Sequence, residues 1–280
     1  MQLWIRALWR VCTLGLVVGA AYLTTFVLFP YFNRQLPFFP SVLLGYAILA
    51  YVLLPFVSRF WRLVFRPNHI PRYAITGDGW PADPINIAIV ARSKRHFIRA
   101  MKASGWHVAD KSTLRNDLRE LWALVFDRPY PNAPFSNLYL FGRSFDIGFQ
   151  QSTMRSGSPR SRHHVRFWQL IDQPESDTLG HFSYWQNRFR HLLRRKHRIW
   201  IGAAVEDKDI RGFRWRNLQI THSNHADHAA ERDYILGSIE EAGFLRSIDS
   251  VKDGEPFEMR GQNIGTTFIV DGDITVIILK

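Results

Sequence analysis

Two long stretches without a charged residue dominate the start of this chain. They run from Val11 to Asn33 and from Gln35 to Ser58, and no aspartate or glutamate occurs before residue 67. A helix needs roughly 20 apolar residues to cross the hydrocarbon core of a membrane, and both stretches are long enough. We therefore predict an N-terminal two-helix transmembrane hairpin over residues 1–66, with spans at about 11–32 and 38–57.

The arginines around these spans predict their orientation. Arg6 and Arg10 precede the first span, three arginines follow the second, and Arg34 lies in the connecting turn. Because basic residues are retained on the cytoplasmic side, this bias predicts an integral protein of the plasma or inner membrane with both termini in the cytoplasm. The alternative for the first stretch is a cleaved signal peptide, which its length and the following span disfavour.

The charge beyond the spans is nearly balanced. The chain has a formal net charge of +12, but six of its 36 basic residues precede residue 67, which leaves 30 basic against 24 acidic side chains. This balance disfavours a nucleic-acid partner, whereas the apolar stretches predict contact with membrane lipids. The single cysteine, Cys12, excludes an intramolecular disulfide and a cysteine-based zinc site.

The rest of the chain alternates helix and strand patterns. Prolines and glycines over residues 67–84 indicate a linker, and residues 85–280 are predicted to form one soluble domain. Helices are predicted near 93–103, 112–126 and 226–242, and strands near 85–91, 138–141, 145–151, 163–170 and 199–205. Asp271-Gly272 between two apolar runs predicts a closing hairpin. The fold class is therefore α+β, with a mixed, largely antiparallel sheet and about three helices after the transmembrane hairpin.

One of these helices has a marked apolar pattern. Apolar side chains recur at helical spacing over residues 112–126, which predicts that they share one stripe of the helix. The residues concerned are Leu114, Leu118, Leu121, Trp122 and Val125.

Four sequence fragments occur in an order that resembles a known family. They are FGRSFDIGFQ (141–150), HHVRFW (163–168), WIGAAVED (200–207) and TH followed by AERDYI (221–235). Together they resemble the LssY C-terminal domain family over about residues 75–250. Such domains occur fused to membrane modules of the DedA-like and lipid-phosphatase-like kinds. The resemblance therefore implies a function that involves lipids or the cell envelope.

The resemblance also marks individual positions, and two positions depart from the family pattern. Ser223 stands where the family has a second histidine, and Ala229 stands where it has a carboxylate, which puts a histidine pair and a full carboxylate cluster in doubt. The matching positions are Arg143, Asp146, His164, Arg166, Trp168, Asp207, Thr221, His222, Asp227, Glu231, Arg232 and Asp233.

The fragment SRHHVRFWQL (161–170) predicts a basic row on one face of a strand. Side chains alternate between the two faces of a strand, so one face holds Arg162, His164, Arg166 and Trp168. The other face holds the odd-numbered residues, of which Val165 and Phe167 are predicted as core. Guanidinium groups bind phosphate or carboxylate through paired hydrogen bonds, and tryptophan can stack on a ligand. The alternative is a salt-bridged strand face in which Arg166 pairs with Asp146 or Asp207.

The fragment GRSFDIGF offers a second arginine and carboxylate. Arg143 and Asp146 are three positions apart, so on one regular strand they would point to opposite faces. A bulge or turn between them would let them meet, either as part of a phosphate–metal site or as an internal ion pair.

The fragment THSNHADHAAERD allows three interpretations. A divalent metal could be held by side chains that recur every three residues, although this spacing drifts around a helix. They are His222, His225, His228 and Glu231. His222 with Asp227, Glu231 or Asp233 could act as general acid and base. Asp227 could simply cap the helix that follows.

A basic stretch, NRFRHLLRRKHR (187–198), could contact anionic lipid headgroups. RNA binding and a solvated basic face are the alternatives, and no stacking signature accompanies the stretch.

Two functions follow as hypotheses. In the first, a membrane-anchored cytosolic domain binds, and could hydrolyse, a phosphate-bearing lipid or envelope precursor. In the second, the domain is a noncatalytic interaction module whose partner is a membrane protein of an envelope or secretion-associated complex. The sequence identifies no cofactor, and a divalent metal is an open option only. For the first hypothesis the anion-binding residues are Arg143, Asp146, Arg162, His164, Arg166, Trp168 and Asp207, and the acid–base residues are His222, Asp227, Glu231 and Asp233.

Overall fold

The computed structural model describes residues 11, 15–54, 56–57, 72–77, 81–140, 142–170, 198–214, 219–224, 227–252, 257–260 and 267–280. Burial is not described for the side chains of residues 209–214, 219–224, 252, 257–260 and 267–269. The chain divides into two compact units. The first holds the N-terminal helices, and the second holds most of the strands.

The N-terminal unit contains helix α1 (Gly15–Gln35) and helix α2 (Phe38–Leu53). The two helices face each other where Thr24 is buried, with its methyl group 3.8 Å from the place a Cβ would take at Gly45. The Thr24 hydroxyl donates to the carbonyl of Ala20 at 2.8 Å, so its polar group is satisfied within the helix.

The predicted pair of membrane spans is only partly found. Among the described residues, α1 is long and apolar enough to cross a membrane, whereas α2 is apolar but too short. The helix count also differs from the prediction, because π-helical turns at Leu23–Leu28 and Leu49–Leu53 divide the two helices into shorter segments.

The described residues hold fourteen strands, most of them wholly in the second unit, and three helices of that unit, which confirms the α+β class. In chain order the strands are β1 (Tyr73–Thr76), β2 (Pro81–Pro84), β3 (Ile87–Ala91), β4 (His107–Val108), β5 (Leu138–Leu140), β6 (Arg143–Ser144), β7 (Ile147–Ser152), β8 (Arg162–Leu170), β9 (Arg198–Arg214), β10 (Gln219–Asn224), β11 (Leu245–Lys252), β12 (Phe257–Arg260), β13 (Thr267–Val270) and β14 (Asp273–Leu279). The helices are α3 (Lys94–Ala103), α4 (Leu114–Phe126) and α5 (His228–Glu241).

The main sheet is mixed and largely antiparallel, as predicted. Its strand order is β11–β14–β3–β9–β8–β7–β4, and β10 pairs with β9. The β14–β3 pair is parallel, while the β3–β9, β9–β8 and β8–β7 pairs are antiparallel. A smaller sheet has the order β2–β1–β5–β6, and its first two strands fall within residues 67–84.

Strand β8 lies between two apolar layers. Its residues Val165 and Phe167 are fully buried in a cluster with side chains of α3 and α5, which confirms their prediction as core. Trp168 and Leu170 lie in the cluster on the other face, together with side chains of the smaller sheet. The alternation expected of a strand therefore places the even-numbered residues of β8 toward the smaller sheet.

The closing hairpin predicted at Asp271-Gly272 is wrong. Strand β13 pairs with β12, and β14 pairs with β11 and β3, so these two runs take different partners on either side of the turn. Apolar runs around an Asp-Gly sequence indicate a turn, but they do not determine which strand each run pairs with.

A glycine in the centre of the main sheet makes room for its neighbours. A Cβ at Gly202 would lie 2.5 Å from Phe167 and 2.8 Å from Ile87. We expect Gly202→Ala to lower the free energy of unfolding by about 1–3 kcal/mol, because the Phe167 ring and the Ile87 side chain must shift to accept a methyl group. Chemical denaturation followed by tryptophan fluorescence measures this change.

The matched control for this prediction lies on helix α5. Gly237 has no atom within 4 Å of its would-be Cβ, so Gly237→Ala meets no obstruction. Alanine has the higher helix propensity, and we expect this variant to gain about 0.5–1 kcal/mol. Equal effects of the two substitutions would contradict the close packing around Gly202.

Candidate functional site

The basic row predicted on β8 is present, but it is buried. The exposed fractions are 3% for Arg162, 3% for His164 and 4% for Arg166. All three side chains point to the same face of the strand as Trp168. Charged groups out of contact with water require partners inside the protein, and the surrounding elements supply them.

Arg166 is paired with a carboxylate from the smaller sheet. Its Nη1 lies 2.5 Å from Oδ2 of Asp83, and its Nε donates to the carbonyl of Ser136 at 3.3 Å. Asp83 is itself 5% exposed. Burial raises the pKa of Asp83, but the Arg166 guanidinium, together with His164 and His228, outweighs this effect and holds the pKa below its usual range. The partner of Arg166 is therefore neither Asp146 nor Asp207, the two carboxylates expected from the sequence.

His164 lies between two charged neighbours. Burial lowers its pKa, but the Asp207 carboxylate, 3.3 Å from Nδ1, and the Asp83 carboxylate together raise the pKa above its usual value. The contact at the other ring nitrogen opposes double protonation of the ring, because Nη1 of Arg166 lies 2.7 Å from Nε2. A guanidinium can donate to Nε2 only when that atom carries no proton. We infer a neutral imidazole with its proton on Nδ1, the nitrogen nearer to Asp207.

Arg162 contacts two carboxylates. Its Nε lies 3.3 Å from Oδ2 of Asp207 on the neighbouring strand β9, and its Nη2 lies 3.2 Å from Oε1 of Glu120 on α4. Its Nη1 donates to Oε1 of Gln150 at 2.8 Å and to the carbonyl of Pro134 at 3.2 Å. These contacts leave no face of the guanidinium directed toward solvent.

Glu120 has a strongly shifted pKa. Burial raises it to about 7, and Arg162 opposes this rise only in part. Arg162 is also paired with Asp207, so its charge is already balanced before Glu120 is considered. Near neutral pH the network then consists of two arginines, two aspartates, a neutral histidine and a Glu120 that is about half protonated. Its net charge is close to zero.

Phe135 covers this row. Its ring lies 4.5 Å from the Arg166 guanidinium carbon and 5.3 Å from the centroid of the His164 ring. Gly148 on β7, directly opposite Arg166, provides the space, because a Cβ there would collide with the Phe135 ring. The glycine of the FDIGFQ fragment thus has a structural role in covering the charged network.

Arg143 and Asp146 form a separate pair at the end of β8. Arg143 lies in β6 and Asp146 in the turn before β7, so a turn brings together side chains that a regular strand would separate. Their charged atoms lie 2.5 Å apart, and Nη2 of Arg143 also donates to the carbonyl of Gln169 at 2.6 Å. Trp168 donates to the Arg143 carbonyl at 3.3 Å. About a third of each side chain in the pair is exposed.

Glu231 faces the opposite side of β8. Its Oε2 lies 2.7 Å from Nδ1 of His163, and the His163 ring stacks on Tyr234 at 4.1 Å. The sequence placed Glu231 with the anion-binding row, but the structure puts β8 between the two groups.

The remaining residues predicted for acid–base chemistry have other contacts. Asp227 accepts from the amides of Ala229 and Ala230, so it caps the N-terminus of α5. Asp233 lies 3.1 Å from Nε of Arg232, whose Nη1 contacts Asp271. His222 belongs to β10, and its side chain lies outside the described residues.

The metal interpretation has little support in the described part of the chain. No group of three or more histidine, cysteine, aspartate or glutamate side chains there is arranged to hold a metal ion. His228 is buried, with Nδ1 3.3 Å from the carbonyl of Ala204. Burial lowers the pKa of His228. The side chain of His225 and the basic stretch 187–197 lie outside the described residues.

A surface cavity of about 420 Å³ lies elsewhere, between the end of α3 and helix α5. Ser104, Gln151, Tyr234, Ser238 and Glu241 contribute to its lining, and none of the predicted site residues does. The charged network and this cavity are therefore separate features.

Sequence reasoning missed three members of the network: Asp83, Glu120 and Phe135. Asp83 lies between prolines in a stretch interpreted as a linker, and Glu120 lies on a helix whose polar face gives no sign of burial. The only available signal for Phe135 was Gly148, since a glycine within a strand often marks a close approach.

A family model described as LssY C-terminus matches residues 67–274 of the chain. No curated protein and no solved structure matches the chain.

Proposed function

Since this chain belongs to the LssY C-terminus family, we propose that it serves as a membrane-anchored, noncatalytic interaction module of an envelope or secretion-associated membrane complex. The observation that carries this proposal is the internal pairing of the charged motif residues. Arg162, His164, Arg166 and Asp207 are each no more than 5% exposed and contact one another or the protein backbone.

This arrangement favours an internal, stabilising role for the motif residues. An anion-binding site needs cationic donors that a ligand can reach, yet Phe135 and the backbone around it occupy the donor side of both arginines. The best-attested role of a buried ion network is to specify one fold. An interaction module requires such a stable, uniquely folded domain. The binding function would then rest with surface residues.

The N-terminal helices form the proposed membrane anchor. Helix α1 is long and apolar enough to cross a membrane. We propose that α2, extended beyond Leu53, crosses as well, so that both termini lie in the cytoplasm of the plasma or inner membrane. The arginines before α1 and after residue 58 support this orientation.

A ligand panel on the full-length chain in detergent tests the proposal. Inorganic phosphate, glycerol phosphate, phosphoethanolamine and divalent cations are added while thermal unfolding is followed. We expect no ligand to raise Tm. A ligand present at 100 times its Kd would add about 2.7 kcal/mol, which raises Tm by several degrees for a domain of this size.

A ligand-induced rise in Tm that depends on the charged network would contradict the noncatalytic module. The informative comparison is Phe135→Ala, which opens the charged row, against Arg143→Met, which alters the pair that is about one-third exposed. In parallel, a photo-crosslinking residue at exposed Ile248 on β11 should join the chain to a membrane protein in intact cells. Failure to form any such complex would count against the proposal.

The second candidate is binding, with hydrolysis, of a phosphate-bearing lipid or envelope precursor. One observation favours it: burial raises the pKa of Glu120 to about 7 beside Arg162, and shifted pKa values cluster at active sites. Access would require Phe135 to move. If phosphate raises Tm of the parent chain and the rise grows in Phe135→Ala, this candidate is preferred.

A further inference from the structure

Helix α4 turns its apolar face outward. Its apolar residues do share one stripe, as predicted, but the stripe is exposed. Of nine exposed large apolar side chains in the described part of the chain beyond residue 68, six belong to this helix of 13 residues. They are Leu114 (77%), Leu118 (58%), Leu121 (56%), Trp122 (60%), Val125 (58%) and Phe126 (52%).

The opposite face attaches α4 firmly to the domain. Ala123 is 2% exposed, and Glu120 reaches Arg162 in the buried network. Arg160 donates to the carbonyls of Leu124 and Val125 at the C-terminal end of the helix. Helix α4 is therefore packed against the domain, and its apolar face is exposed even though the helix is fixed in place.

Charges around this face have a consistent arrangement. The cationic residues Lys111, Arg115, Arg119 and Arg128 are exposed, and Arg115 and Arg119 lie along one border of the apolar stripe. Each carboxylate of the same region is only partly exposed and already has a hydrogen-bond or ion-pair partner. Tyr130 donates to Asp110, Ser112 donates to Asp117, Ser156 donates to Asp127, and Glu120 contacts Arg162.

We propose that the exposed face of α4 lies in the headgroup region of an anionic lipid bilayer. A helix with leucine, phenylalanine and tryptophan on one face and basic residues beside them is typical of interfacial helices. Arginine side chains can reach the anionic phosphates while their apolar stems rest on the acyl boundary. The same chain carries a helix able to cross a membrane, so its own anchor provides the bilayer.

This inference is independent of the proposed interaction module, because it concerns a different surface and a different partner. The exposed cations favour a lipid surface over an apolar protein groove, where they would lose water without a matching charge. A partner protein or a second copy of the chain on this face is an alternative outcome of the test.

The test uses the full chain in nanodiscs. Cys12→Ser removes the single native cysteine, and Trp122→Cys then carries an environment-sensitive fluorophore. The matched control carries it at Arg99→Cys, an exposed position on α3. We expect nitroxide-labelled lipid to quench the label at position 122 severalfold more than at position 99, and aqueous iodide to show the reverse preference.

Lipid composition and charge variants complete the test. Lipid quenching at position 122 should be stronger in phosphatidylglycerol-containing discs than in pure phosphatidylcholine. Arg115→Glu with Arg128→Glu should weaken it. Equal quenching at the two positions would overturn the proposal. Protection from iodide without quenching by lipid would also overturn it, since a protein surface would then cover the helix.

Discussion

Replacing Arg166 by methionine is expected to lower the free energy of unfolding by about 3–5 kcal/mol. The substitution leaves Asp83 buried with its charge uncompensated, because the guanidinium 2.5 Å away is the nearest cation that holds its pKa down. It also removes the donor to Nε2 of His164. Denaturant titration of the full chain in detergent, followed by the fluorescence of the buried Trp168 and Trp200, measures the loss.

Arg143→Met is the matched control on the same side of the sheet. Its ion pair with Asp146 is about one-third exposed, and pairs in contact with water contribute about 0–1 kcal/mol. The expected difference between the two arginine variants is therefore several kcal/mol. Similar losses would show that burial of the network is not what stabilises the domain.

The double variant Asp83→Asn with Arg166→Met separates two contributions. If the cost of Arg166→Met arises mainly from the orphaned carboxylate, neutralising Asp83 should recover a part of it. The double variant should then lose less than the sum of the two single variants. An additive result would instead assign the loss to packing of the Arg166 side chain against Phe135.

The alternation of β8 was predictable, whereas the burial of its basic row was not. A period of two residues shows which side chains share a face, and it placed Arg162, His164 and Arg166 together correctly. It contains no information about what covers that face. The carboxylate opposite Arg166 comes from 83 positions away in the sequence, and no local pattern marks it.

Helix α4 shows the converse, an apolar face that is exposed instead of buried. Its apolar spacing predicted one stripe, and a stripe of this kind is usually buried in a core. The structure buries Ala123 and directs Glu120 toward Arg162 instead, and it exposes the leucines and Trp122. Amphipathicity reveals that a helix has two faces, but a membrane or a partner can replace the core as the apolar environment.

The family resemblance is confirmed over most of the chain, but the motif residues that it marks do not gather at one site. The family is confirmed over residues 67–274, and its fragments meet around β8. They meet on both faces of that strand, since His163 contacts Glu231 on one side while His164 contacts Asp207 on the other. A set of motif residues in sequence order therefore does not define one site, and their division between two faces could be seen only in three dimensions.

Glu120→Gln should change stability in a strongly pH-dependent way. The folded state raises the pKa of Glu120 from its usual 4.5 to about 7, so between these values the folded protein keeps a proton that the unfolded chain has lost. The contribution of Glu120 is therefore most favourable below pH 4.5 and declines as the pH rises through 7. Glutamine resembles the protonated acid and does not ionise. The variant should match the parent near pH 4.5 and exceed it by about 3 kcal/mol at pH 8.

The measurement is the difference between the two free energies of unfolding across this pH range, because other titrating groups cancel in the difference. Arg115→Gln on the exposed side of α4 is the control, since a guanidinium stays charged throughout and its difference curve should be flat. A flat curve for Glu120→Gln as well would mean that Glu120 ionises freely beside Arg162. The network would then carry a net negative charge at neutral pH, and Arg162 would have to balance both Glu120 and Asp207.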